Sequence, residues 1–192
     1  MFNTLHDGSL FLIQLLFDLA LFLFLARIIL QWIDTNRYNP LFLSIAKWTD
    51  PLLKPLYRLL PPVRGMDFSA ILLLITLATV KIACLFKGQT GVLPHFPGLL
   101  VLAFADLLHQ LLNLFFYATM ILTLLSWIST PVSHTPLIEV LVRMTEPLLR
   151  PLRRFLPSVS GLDFSPLALM IGLKLLTLVI VQPLMQIGQQ LS

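Results

Sequence analysis

Thr49-Asp50-Pro51-Leu52-Leu53-Lys54-Pro55-Leu56-Tyr57-Arg58-Leu59-Leu60-Pro61 returns further along the chain as Thr145-Glu146-Pro147-Leu148-Leu149-Arg150-Pro151-Leu152-Arg153-Arg154-Phe155-Leu156-Pro157. Four residues on, Gly65-Met66-Asp67-Phe68-Ser69 returns as Gly161-Leu162-Asp163-Phe164-Ser165. The offset is 96 throughout (49 to 145), and it also superposes Pro40 on Pro136. Trp32 and Trp127 align once one loop residue is inserted. Agreement over this length marks a duplication, so the chain divides into residues 1–96 and 97–192.

What surrounds each cassette is apolar. Hydrophobic residues make up 57% of the 192-residue chain and charged residues 11%. A soluble domain carries about 25% charged residues, so this composition cannot cover itself with polar surface, and its natural solvent is lipid. Crossing the hydrocarbon takes roughly 20 apolar residues. Four stretches qualify, at about 10–33, 68–86, 107–128 and 166–184, two in each copy. The expected architecture is an all-α membrane protein, four transmembrane helices arranged as two parallel helix–amphipathic loop–helix repeats about a pseudo-two-fold along the membrane normal.

Charge sets the orientation. The loop at 37–64 holds Arg37, Lys47, Lys54, Arg58 and Arg64, and the loop at 134–157 holds Arg143, Arg150, Arg153 and Arg154. The connection between spans two and three has only Lys87. Positive residues favour the cytoplasmic side, so both basic loops are expected there and both termini outside. Trp32 and Trp127 then fall at the cytoplasmic ends of spans one and three, where an aromatic belt belongs. The first ten residues lack Lys and Arg, unlike a secretory signal. The basic residues follow topology, so no nucleic-acid partner is expected.

Within each cassette, leucines recur at one-, three- and four-residue steps, while Lys54 and Arg58, and Arg150 and Arg154, lie four apart. This predicts an amphipathic helix lying in the interface with a basic face. Pro51 and Pro147 suit a first helical turn, with Asp50 as its N-cap and Glu146 favourable to the dipole. Pro55 and Pro151 are expected to kink or restart the segment and Pro61 and Pro157 to end it. Gly65 and Gly161 can supply a positive φ, and Asp67 or Ser69, and Asp163 or Ser165, can cap the next spans. Pro166 suits the first position after Ser165. Lys54, Arg58, Arg64, Arg150, Arg153 and Arg154 are the candidate contacts to anionic lipid or an acidic partner. The plainer alternative makes the loops anchors and topology signals only.

A Trp-closed span, this Pro-punctuated basic cassette and the Gly-x-Asp-Phe-Ser opening of the next span together resemble the YggT family over nearly the whole chain, duplication included. The resemblance implies a small bacterial inner-membrane protein with chloroplast relatives. The implied roles are osmotic tolerance and ion balance in bacteria. Plastid relatives suggest membrane organisation, division or nucleoid placement, and cofactor assembly. It carries over no catalytic residue.

Charges within spans are costly and often functional. The candidates are Asp18, Arg27, Lys81, Asp106, His109 and Lys174. Asp18 lies about 12 Å below the outer end of span one, and Lys81 at a similar depth, so the two can pair. Arg27 and Lys174 are expected to snorkel to the cytoplasmic interface. An ion or proton pathway is the other reading. It is weakened because Asp18 aligns with Asn113, Lys81 with Thr177 and Lys174 with Ala78. The lone Cys84 reads as a small buried hydrophobe. His6, His95, His109 and His134 lack metal-ligand spacing. Ser126 and Ser129 have no His/acid set, and no phosphate-cradling loop is present. The expectation is therefore no enzyme, no cofactor and no metal. It is a scaffold binding lipid, a membrane-protein partner or further copies of itself. An oligomeric channel or transporter component is the alternative.

Overall fold

The structure, a computed structural model, describes residues 2–33, 39–58, 60–62, 67–128, 135–155 and 163–192. Arg64, Gly65, Pro157 and Gly161 of the candidate set lie outside the described residues, as do Arg37, Ser129 and His134. Among the described residues every element is helical: α1 (Phe2–Trp32), α2 (Pro40–Leu53), a 3-10 turn (Leu56–Arg58), α3 (Phe68–Thr90), α4 (Phe96–Ile128), α5 (Pro136–Phe155), α6 (Ser165–Leu176), a π turn (Thr177–Val181) and α7 (Gln182–Gln190). The order of long helix, loop helix, long helix occurs twice.

Four segments are long and apolar enough to cross a membrane: His6–Trp32, Phe68–Thr90, Phe96–Ser126 and Ser165–Gln190. The shortest, 23 residues, extends about 35 Å against a hydrocarbon core of about 30 Å. Their apolar side chains mostly point outward. Phe11, Leu15, Leu16, Leu175 and Val179 are more than half exposed, a surface suited to lipid and not to water. This is a multi-pass membrane protein. Cys84 also faces outward, against the expectation of burial. A thiol is apolar enough that lipid serves it as well as a core.

Lipid tails offer no hydrophobic drive between helices, so the spans must approach closely. Ala70, Ala78, Ala103 and Ala118 are buried where they meet. α1 packs on α3, and α4 packs on α6 and α7, one hairpin per copy. The copies join mainly through α3 and α4, while α1 does not meet the fourth span to a similar extent. The duplicated units are thus not packed as an even two-fold. α2 touches α5, which brings the two basic loops to one end. At the other end His6 Nε2 lies 2.9 Å from the Gly88 carbonyl. There Gly91, at φ 77, closes α3 with its N–H on the Lys87 carbonyl. α4 and α7 cross so tightly at that end that a Cβ on Gly98 would lie 2.7 Å from Ser192 N and 2.8 Å from the Gly188 carbonyl oxygen.

Several local expectations change. α2 begins at Pro40, with Asn39 as its cap accepting from Leu41 N at 2.9 Å. Pro51 is therefore inside the helix and Asp50 is not an N-cap. The Asn-Pro pair, with its side-chain acceptor and preset φ, is the stronger start. Pro55 does interrupt the first copy, which turns at Lys54–Pro55 into the 3-10 segment. In the second copy the helix runs through Pro147 and Pro151 to Phe155. Asp67 is the cap of α3, accepting from Ala70 N at 3.0 Å. Asp163 accepts from Ser165 N at 2.9 Å, and Pro166 enters at the helix start. In the fourth span the Gln182 N–H reaches back to Thr177 O, forming the π turn just before Pro183. That proline has no N–H to continue the ladder.

Candidate functional site

The repeated cassette is held to its neighbouring span by one arginine bridging two carboxylates, once in each copy. In copy one the arginine is Arg27, from α1. Its Nη1 donates to Thr49 Oγ1 at 2.5 Å and Asp50 Oδ1 at 2.6 Å, its Nη2 donates to the Tyr57 hydroxyl at 3.0 Å, and its Nε lies 3.7 Å from Asp67 Oδ2. Tyr57 in turn donates to Asp67 Oδ2 at 2.5 Å. Arg27 is only 6% exposed. Contrary to the expectation from the sequence, it does not snorkel to water. The loop folds over it and supplies the polar partners instead, and a buried charge must find such partners. Burial, and then the bond to Asp67, push the Tyr57 hydroxyl up to about 12.

In copy two the equivalent carboxylates are Glu146 and Asp163. Arg153 Nη1 donates to Glu146 Oε2 at 2.9 Å and its Nε to Asp163 Oδ2 at 2.9 Å. Arg153 aligns with Tyr57, and Arg27 aligns with Leu122. The interaction is kept while the cation has moved from the span to the loop. Burial works against the Arg153 charge, but the bonds to Asp163 and the field of Glu146 outweigh it and raise its pKa. Burial likewise opposes the Asp163 charge, but the Ser165 N–H and Arg153 prevail and lower its pKa.

The same logic recurs between the spans. Lys81, 3% exposed, donates to Asp18 Oδ1 at 2.6 Å and to Asp106 Oδ1 and Oδ2 at 2.7 and 2.8 Å. Gln110 Nε2 bonds Asp106 Oδ2 at 2.9 Å and Asp18 Oδ1 at 3.3 Å. The Asp18–Lys81 pair anticipated from depth is thus present, with Asp106 and Gln110 added from α4. A cavity of about 260 Å³ reaches Lys81 and Asp106 and is also lined by Gln14, Gln89 and Gln189. Asn113, the counterpart of Asp18, accepts from Lys174 Nζ at 3.1 Å. Lys174 lies one helical turn from the position equivalent to Lys81, on the same face. It reaches sideways to Asn113, with its ammonium 4.3 Å from the centre of the Phe116 ring, and so does not snorkel. Asn113 also bonds His109 Nε2 at 2.9 Å, while His109 Nδ1 is buried without a partner among the described residues.

The remaining candidates point outward. Lys54, Arg58, Arg150 and Arg154 are exposed and make no ion pair among the described residues. Pro55 and Pro61 are exposed beside the first pair. The structure brings Asp50, Asp67, Glu146, Asp163, Arg27 and Arg153 into two clamps and, among the described residues, gives those four basic side chains no acidic partner. Among the described residues no group of three or more His, Cys, Asp and Glu side chains is placed to hold a metal ion.

Comparison with known proteins finds the CCB3/YggT family model matching at residues 7–86 and 101–184, one segment in each copy. The chain belongs to the CCB3/YggT family. Among its YggT relatives, "Uncharacterized protein YggT" of Escherichia coli (strain K12) is 31% identical over 181 residues, 94% of this chain and 93% of that one. A Pseudomonas aeruginosa protein is 34% identical over 181 residues, 94% of this chain and 91% of its own length. The "Uncharacterized protein in proC 3'region" of Vibrio alginolyticus is 34% identical over 165 residues, 85% of this chain and 88% of that one. No solved structure matches the chain.

Proposed function

We propose that this YggT-family protein is an integral inner-membrane scaffold that works by binding, not catalysis. Its basic loops face the cytoplasm and both termini lie outside. It serves envelope or osmotic stress tolerance, division or the assembly of membrane complexes by gathering acidic lipid or an acidic membrane-protein partner. One observation carries the reading. The acidic side chains of both cassettes are engaged by Arg27 and Arg153, so Lys54, Arg58, Arg150 and Arg154 have no acidic partner among the described residues at one end of the molecule. Each such cation contributes about 1 kcal/mol at an anionic leaflet. The test is proximity labelling and co-purification from native membranes, comparing the natural chain with a variant carrying Gln at those four positions. The reading expects partner and acidic-lipid recovery to fall together. Unchanged recovery of both would refute it.

A second reading, an oligomeric channel or transporter component, is favoured by the Asp18–Lys81–Asp106 network beside its glutamine-lined cavity. Ion flux in proteoliposomes that Asp18→Asn or Lys81→Met abolishes would select it. Native mass spectrometry giving only monomers would weigh against it, since four spans are few for a pore.

A further inference from the structure

We propose that the cleft between the end of α1 and the loop helix α5 is a built site for one acidic phospholipid. This rests on the scaffold reading and gives one part of its basic surface a defined ligand. Arg143, Glu146, Pro147 and Arg150 fall at i, i+3, i+4 and i+7, one face of α5. With Trp32 and Ile33 they line an open depression of about 560 Å³. Among the described residues, the carboxylates nearby are already engaged. Glu146 and Asp163 hold Arg153, and Glu139 holds Arg143 at 2.8 Å in a pair that is half exposed on both sides. Such an exposed pair is weak and exchanges readily for another anion. Arg150 has no acidic partner among the described residues. The cleft therefore presents two arginines about 10 Å apart along the helix, over a floor made by Trp32, Ile33 and Pro147.

The shape below the cleft selects the ligand. Trp32 also lines a second groove, about 320 Å³, walled by Ile28, Ile29, Ile71, Leu111 and Phe115, with Gln31 and Asp67 at its head. Asp67 is taken by Tyr57 and Arg27, so it does not leave a free charge facing the groove. The groove enters between α1, α3 and α4, at the depth of the spans. A guanidinium mouth and an apolar slot that share Trp32 as a wall match a phosphodiester head group with its acyl chain. A soluble phosphate would occupy only the mouth. Basic pockets between spans are the usual form of acidic-lipid recognition, and tryptophan is at home at this level.

The test uses Trp32 as the reporter. The chain has three tryptophans, so a Trp48→Phe/Trp127→Phe variant leaves that one. The variant is reconstituted in phosphatidylcholine bilayers containing a small fraction of brominated-chain phosphatidylglycerol. A parallel sample holds the same fraction of brominated-chain phosphatidylcholine. The acidic lipid should quench Trp32 at much lower mole fraction, and Arg143→Gln/Arg150→Gln should weaken that preference roughly tenfold. Lys54→Gln/Arg58→Gln should leave it in place, and Arg150→Lys should retain most of it. Equal quenching by the two lipids would overturn the site. So would loss of the preference to free inorganic phosphate, which would make it a soluble-anion site. A preference removed equally by Lys54→Gln/Arg58→Gln would reduce it to diffuse surface charge, overturning the site while leaving the scaffold reading intact.

Discussion

Arg27→Leu, followed by Tyr57→Arg in the same chain, tests whether the repeat conserves an interaction and not a residue. Leu122 and Arg153 occupy the corresponding positions of copy two, so the double variant writes that copy's solution into copy one. Arg27→Leu alone removes bonds to Thr49, Asp50 and Tyr57 and the ion pair to Asp67. The Asp50 side chain is 40% exposed and rehydrates cheaply. Asp67, with a side chain 2% exposed, is left as a buried carboxylate with only Tyr57 and the α3 cap to support it. Removing one partner of a buried pair costs about 3–5 kcal/mol, and the solvated Asp50 places this case near 3. In a chain of this size that lowers Tm by roughly 6–12 °C. Tyr57→Arg alone adds a second guanidinium to two carboxylates that already hold one, and should destabilise. The double variant should recover about half or more of the Arg27→Leu loss, a coupling of about 2 kcal/mol between the sites. Thermal unfolding of the four purified proteins in one detergent measures it. A double variant no more stable than Arg27→Leu, or additive behaviour, would refute the shared-clamp reasoning.

Other outcomes follow from the same geometry. Lys81→Met leaves Asp18 and Asp106 facing each other and should cost about 3–5 kcal/mol. Lys81→Met/Asp106→Leu should cost clearly less, as denaturant titration would reveal. Gly98→Ala sets a Cβ 2.7 Å from backbone that cannot yield, while Gly172 has nothing within 4 Å. The first should lower Tm by several degrees and Gly172→Ala should not. Raising pH through the window from 10 to about 12 should cost stability. The Tyr57 hydroxyl is harder to ionise in the fold than in the unfolded chain, so its contribution is complete below 10 and lost above. Tyr57→Phe should remove that alkaline loss when melting is followed against pH.

The fold was legible because length and apolarity are local properties. Four runs of span length and two basic loops determine a multi-pass helical chain without reference to contacts. Asp18–Lys81 could be paired from depth alone. Asp106 was visible as a polar residue, but its partner was not. The usable signal was the spacing of Asp106, His109, Gln110 and Asn113 at i, i+3, i+4 and i+7, one face of α4 serving lysines on both sides. Arg27 departs from the sequence expectation because its depth suggests water as the destination, while the folded loop supplies a nearer set of acceptors. The cue lay in the alignment. Tyr57 against Arg153 is the one bold substitution in a conservative cassette, and it compensates for Leu122 standing where Arg27 would be. The helix starts at Pro40 and Pro136 also repeat, but Pro51 and Pro147 follow acidic residues and so carry the same features as a first helical turn. An internal proline removes one hydrogen bond, which tertiary packing of Thr49, Leu53, Thr145 and Leu149 outweighs.

Both cassettes must share one face of the membrane, and thiol accessibility tests that most directly. With the single Cys84 replaced by Ala, Lys54→Cys and Arg150→Cys provide one reporter in each loop. Both should resist a membrane-impermeant maleimide in intact cells and react in inverted vesicles. Labelling of the two positions from opposite sides would contradict the account.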